Sequence, residues 1–179
     1  MNNELIIVGD GRESKSKYDS LGLAGLFEVE IIRGGNVVDI FVIPNLVTNA
    51  GYDEILDKFW RGANYTASLF VGLISSSPVP VVGDTMLSHG AWTEIAAYSE
   101  TVRQTLIMGA VADQSTNNSA NKASFSIDTN SQNIGGAFIC TDNTKNGTGG
   151  VLIAAAAFTE DKGVGAGDTF NFTYTNSKA

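Results

Sequence analysis

Phe27-Glu28-Val29-Glu30-Ile31-Ile32-Arg33-Gly34-Gly35-Asn36-Val37-Val38-Asp39-Ile40-Phe41-Val42-Ile43-Pro44 decides the fold class. Phe27, Val29 and Ile31 alternate with Glu28 and Glu30, the period-two pattern of a strand with one face in a core. Gly34-Gly35 supplies the positive φ angles of a tight primed turn, and Pro44 ends the second strand. This is a β-hairpin, and most of the chain repeats its style.

Downstream, Thr48 or Asn49 can cap a helix over residues 50–60, with Asp53 and Glu54 in its first turns and Gly62 past its end. Ile55, Leu56, Phe59 and Trp60 fall at helical spacing and are expected to close over one end or edge of a sheet. The remainder reads as strands over 67–74, 103–112, 123–128, 134–141, 151–158 and 169–175, about eight in all with the hairpin. Their connections, such as 113–119 and 141–149, are Ser/Asn/Gly clusters that suit hairpins and are poor crossover helices. The pattern predicts an all-β fold with one short helix: an antiparallel β-sandwich, jelly-roll-like, over residues 23–179, preceded by an extended N-terminal arm, 1–22.

The arm has one strand-length apolar patch, Leu5-Ile6-Ile7-Val8, followed by turn formers and mixed charge. It suits either addition of a strand to a neighbour's sheet edge or a frayed tail. The patch has no basic residues before it, unlike a signal peptide, and no stretch reaches the roughly 18 apolar residues of a membrane span. A long connection, 75–86 running into 87–94, either lies along a neighbouring subunit or crosses the sandwich.

Hydrophobic residues at 43% and charged residues at 17% favour a packed domain over a disordered chain. Eleven basic against nineteen acidic side chains leave a net charge of −8, which provides no Lys/Arg field for nucleic acid or anionic membrane. Cys140, the single cysteine, sits in an apolar run and is expected to be a buried, inert thiol.

No catalytic set emerges. His89 is the one histidine; Ser88 beside it in sequence points away from it, and a Gly-x-Ser-x-Gly elbow is missing. One Cys and one His fall short of a zinc site. Asp39, Asp84, Glu94, Asp128 and Asp168 sit in or beside strands without the spacing of a calcium loop or an acid/base pair, and read as solvated strand ends. Gly163-Val164-Gly165-Ala166-Gly167-Asp168 lacks the following helix of a phosphate loop and reads as a turn. The Asn-x-Thr matches Asn64-Tyr65-Thr66 and Asn171-Phe172-Thr173 carry little weight without secretion. The expectation is a protein with no catalytic, cofactor-binding or metal-ligating residues.

Asn45-Leu46-Val47-Thr48-Asn49-Ala50-Gly51, Val71-Gly72-Leu73-Ile74, Gly83-Asp84-Thr85-Met86, Ser88-His89-Gly90-Ala91-Trp92-Thr93-Glu94, Tyr98, Arg103, Gly136-Ala137-Phe138 and Gly167-Asp168-Thr169 follow one another in an order that resembles a group of small virion proteins from tailed bacteriophages. The resemblance covers about Gly25 to Thr175. It implies a structural, non-enzymatic role: a capsid decoration (cement) protein on the capsid exterior, bound to the major capsid protein or other virion subunits, and homo-oligomeric with a trimer favoured. The alternative it leaves is a tail or head-fibre component, or a receptor- or carbohydrate-binding sandwich with Trp60, Trp92, Tyr65 and Tyr98 as stacking platforms. Burial of Trp92 and Tyr98 would remove the best residues of the recognition reading.

Overall fold

The computed structural model describes residues 23–62 and 68–178. The N-terminal arm, 1–22, lies outside the described residues, as does Tyr65 with its Asn-x-Thr match.

Two antiparallel sheets pack face to face. In the first, β1 (Leu23–Arg33) lies between β2 (Asn36–Pro44) and β11 (Thr169–Lys178). The far edge of β11 is shared by β8 (Ala123–Ser126) and β7 (Ser115–Asn117). In the second, β3 (Leu46–Val47), β10 (Leu152–Val164), β9 (Gln132–Cys140) and β4 (Leu69–Ser75) follow in that order, and β4 also pairs with β5 (Glu94–Ile95) and β6 (Gln104–Leu106). First strand lies beside last, β1 on β11, and β3 beside β10, the nesting expected of a jelly roll; β1–β2 and β9–β10 are hairpins within one sheet.

Register explains the core. Phe27 opposes Tyr174, Val29 opposes Phe172 and Ile31 opposes Phe170, so the inward rows of β1 and β11 coincide. Phe125 of β8 joins them at 5.6 Å from Phe172, ring centre to ring centre. From the other sheet, Val71, Leu73, Ala137, Ile139, Ala156 and Phe158 close the layer. Edge-to-face rings and β-branched side chains fill this layer, with the Tyr98 and Tyr174 hydroxyls as its polar atoms, in keeping with the alternation in the sequence.

The second sheet is buried on both faces, which accounts for the unbroken apolar run of β9. Its outer face carries Phe70, Ile74, Phe138, Cys140, Leu152 and Ala155, and Met86 and Trp92 of the long connection after β4 pack over them. That connection therefore crosses its own sandwich and builds a second core. Gly72 stands opposite Phe138, and the ring lies where a Gly72 side chain would be.

Three expectations are corrected. The strand expected over 103–112 is confined to β6: beyond it the chain turns into an irregular hairpin with β7, Gly109 N donating to Asn117 O at 2.7 Å and Ala112 bridging Ser115, with Met108 against the core and Ile107 and Val111 in solvent. The Ser/Asn turn at 113–119 contains β7, held by the free edge of β11: Ser177 opposes Ser115 and Thr175 opposes Asn117. The helical stripe does not close over a sheet. Helix α1 (Asn49–Ile55) is capped by Thr48, whose hydroxyl accepts from Gly51 N at 3.0 Å, and it docks on β10 through that first turn alone. Thr48 N donates to Ile153 O at 3.0 Å, and Gly51 lies so close to that carbonyl that a side chain would overlap it. Beyond Ile55 the helix widens into a π turn, Leu56–Trp60, with Arg61 N donating to Leu56 O at 3.2 Å. Leu56, Phe59 and Trp60 of this turn face solvent.

Candidate functional site

The aromatic platforms separate sharply. Trp92 is buried: its Nε1 donates to Asp84 Oδ2 at 2.9 Å, its ring stacks on His89 at 3.8 Å and it leans on Phe138 at 5.4 Å. Tyr98 is buried against Phe125, with Lys145 Nζ 3.8 Å above its ring and donating to Tyr98 O at 2.6 Å. Burial, with the Glu94 charge adding and Arg103 opposing, pushes its hydroxyl pKa up. Both residues are core, which corrects their assignment as stacking platforms. Trp60 alone of the described candidates is open, at 71% exposure.

The carboxylates are each tied to a structural partner. Asp84 takes the Trp92 indole and Val81 N at 3.0 Å, fixing the turn that carries the long connection. Glu94 receives Arg103 Nε at 2.9 Å and Nη2 at 2.7 Å. Asp39 meets Lys162 at 3.0 Å, and Asp128 accepts from its neighbour Thr129 at 2.8 Å. Asp168 receives Arg33 Nε at 2.8 Å, Nη2 at 2.7 Å and Gly165 N at 3.0 Å, so the glycine run is a turn pinned by its own aspartate. Gly167, at φ +94°, completes that turn. His89 Nδ1 is engaged by Trp92 O at 3.0 Å, while Ser88 N donates to Thr85 Oγ1 at 3.0 Å. Asn171 lies inside β11 and donates to Glu30 at 3.4 Å. Among the described residues, no three His, Cys, Asp or Glu side chains converge as metal ligands would.

The Arg33 hydrogen bond holds Asp168 below the usual carboxylate range. A depressed folded pKa gives stability that is present above the unfolded value, near 3.9, and is lost as pH falls through the folded one. Arg33 is more than half exposed, so the effect is screened. Urea unfolding at pH 7 and pH 3 is expected to show a smaller acid loss in Arg33→Gln than in the parent chain.

Sequence reasoning passed over the most connected polar residue. Arg103 is fully buried; besides Glu94 it donates to Asp142 O at 2.8 Å and Gly147 O at 2.6 Å, lies 3.4 Å from Cys140 Sγ, and sits 5.1 Å from the centre of the Phe138 ring. Desolvation pulls its pKa down, and the Glu94 hydrogen bond with the surrounding charge more than restores it. Burial likewise pushes the Cys140 thiol up, against the pull of Arg103, leaving it protonated and unreactive.

What remains open on the surface is apolar. Tyr52, Leu56, Phe59 and Trp60 form one stripe along α1 and its π turn, with Phe59 at 73% exposure and the Phe59 and Trp60 rings edge to face at 5.4 Å. Asp53, Glu54 and Asp57 border a recess of about 740 Å³ that Leu56, Trp60 and Val151 line. Near the other end of the helix, Asn49 N donates to Val82 O at 2.9 Å, bringing the exposed Val79, Val81 and Val82 alongside. Exposed apolar patches of this kind mark contact surfaces in assembled proteins. The helical spacing of the stripe is visible in the sequence; its outward direction is not.

Residues 47–178, which is 132 of 179, match the model of the family described as Podophage GP4 fiber I protein gp80. The matched span runs from the end of β3 through β11. No curated protein and no solved structure matches the chain.

Proposed function

This chain belongs to the podophage GP4 fiber I protein gp80 family, and from that premise we propose that it is a non-enzymatic fiber subunit, held to a neighbouring virion protein by the outer face of α1. The family makes it a phage virion structural protein. The observation that supports the docking face is the Tyr52-Leu56-Phe59-Trp60 stripe, apolar and open, whereas the other described aromatics are buried or packed against the core. A helix presenting anchors at i, i+4, i+7 and i+8 fits a groove on a partner, and Trp and Phe are the side chains that contribute most when such a contact is dried.

Burial of Trp92 and Tyr98 removes most of the surface that a carbohydrate-binding reading needs. A capsid decoration protein is the second reading, supported by the resemblance in the sequence and by a net charge of −8, which suits an outer surface. Self-association belongs to the same proposal, with a trimer as the state the resemblance favours.

The experiment is incorporation. Phage grown with tagged parent chain, or with the Phe59→Ser/Trp60→Ser pair, are purified by density and probed for the tag, and immunogold labelling locates it. Parent chain is expected on virions, at fibers, and the pair reduced at least tenfold with an unchanged melting temperature, since both side chains are more than two-thirds exposed. Gold over the whole shell would favour decoration; parent chain missing from virions would overturn both readings.

A further inference from the structure

We infer that the free edge of β2 pairs with the β2 edge of a second copy of this chain, antiparallel and about a two-fold axis at Ile40. The inference is separate from the fiber reading, because β1 and β2 precede the matched residues.

Strand β2 is composed like a buried strand but, among the described residues, lies at an edge. Its inward row, Ile43 and Phe41, packs on the core, whereas Val38, Ile40 and Val42 on the outer row are 54%, 57% and 56% exposed. Leu26 of β1 extends the patch. Natural proteins keep free edges short, or guard them with charge, proline or a bulge. The other edge strands obey: β3, β5, β6, β7 and β8 have between two and four residues. On β2 the guards stand only at the ends, a bulge opposite Ile31/Ile32 and Pro44, and leave Asp39 to Ile43 as an open window.

A second β2 is the occupant that the charges fit. Within Asn36–Pro44 the one ionisable side chain is Asp39, which lies on the inward row and is already neutralised by Lys162 at 3.0 Å. Antiparallel pairing about Ile40 sets Ile40 against the partner's Ile40 and Asp39 against the partner's Phe41, and brings Val42 up to the partner's bulge at Val38. No like charges meet, and the apolar rows run together across the joint. The contact is isologous, so it makes dimers or joins cyclic oligomers in pairs; it does not itself close a trimer. One strand edge covers less than the ~1,200–2,000 Å² of a stable interface, so association is expected between about 1 µM and 1 mM.

Sedimentation equilibrium of the full chain across that range tests it. The parent is expected to reach twice the mass it shows when diluted. Ile40→Lys is expected to halve the mass without changing the melting temperature, while Val111→Lys, elsewhere on the surface, leaves it alone. Ile40→Cys is expected to give a disulfide-linked dimer under mild oxidation at least tenfold faster than Val38→Cys, because only residue 40 meets itself across the axis. A trimer insensitive to Ile40→Lys, or a monomer at 1 mM, overturns the proposal. So does a monomer that begins to pair only on Ile6→Asp, since the chain's own N-terminal residues would then be the occupant.

Discussion

Replacing Arg103 by methionine is expected to lower the unfolding free energy by about 3–5 kcal/mol, the cost of leaving one partner of a buried ion pair alone. Methionine fills much of the same space, so the loss is electrostatic: the Glu94 carboxylate, 7% exposed, keeps only Asn146 N at 2.9 Å, the Gly147 carbonyl loses its donor, and the Asp142 carbonyl keeps only the weak Cys140 thiol. In a chain of this length the melting temperature should fall by roughly 6–20 °C. Arg103→Lys should recover little, because one ammonium cannot span a bidentate carboxylate and two carbonyls pointing different ways. Adding Glu94→Gln to Arg103→Met should cost less than the sum of the two, since the uncompensated charge is gone. Cys140 provides a local readout. Its thiol lies 3.1 Å from Asp142 O beneath the segment that Arg103 anchors, so thiol labelling of the native protein should be slow in the parent and faster in Arg103→Met. Equal labelling and an unchanged melting temperature would show that the segment holds without the arginine.

How far the sequence carried depended on whether a contact is periodic. The β1–β2 hairpin was legible because alternation and Gly34-Gly35 are local signals, and the sandwich followed from repeating them. The cap at Thr48 was legible for the same reason. Arg103–Glu94 and Trp92–Asp84 are nine and eight residues apart across irregular backbone, broken only by the two-residue β5, so no spacing rule points to either. Strand β7 looked like a turn because its Ser-Thr-Asn composition is that of a turn; only the free edge of β11, supplied from far along the chain, makes it a strand. Periodicity marked the apolar side of α1 correctly but carries no information on which way that side faces. Its direction follows from Gly51, which lets the first turn sit on Ile153, and from the π turn that carries Phe59 and Trp60 past the sheet. The candidate docking face is thus the element whose local pattern was read correctly and whose tertiary role was read in reverse.

Trp92→Ala should be the other large loss, about 3–5 kcal/mol, because it removes two contributions at once. The indole fills the second core between His89 and Phe138, and its N–H satisfies Asp84, which is itself buried. Trp92→Phe separates the two: it keeps most of the packing and leaves the carboxylate with Val81 N alone, for an expected loss of about 1–3 kcal/mol. Apart from Trp92, the long connection is tied to the rest of the domain by buried Pro78 and by two hydrogen bonds of 2.9 Å, Ser77 N to Asp161 Oδ1 and Asn49 N to Val82 O. Ser75 N donating to Thr93 O at 2.9 Å ties its far end to β4, but Val79, Val81, Val82 and Leu87 face solvent and Met86 is its one other large buried apolar side chain. In Trp92→Ala the connection should open before the sandwich unfolds, as segments with few buried contacts do. Limited proteolysis under native conditions then distinguishes local from global loss. Cleavage within 76–91, at a rate independent of Arg103 and with the remaining chain still folded, would establish the second core as a separate unit laid on the sheet. Cleavage only in step with global unfolding would mean that the outer face of β9 cannot be exposed without collapse of the whole sandwich.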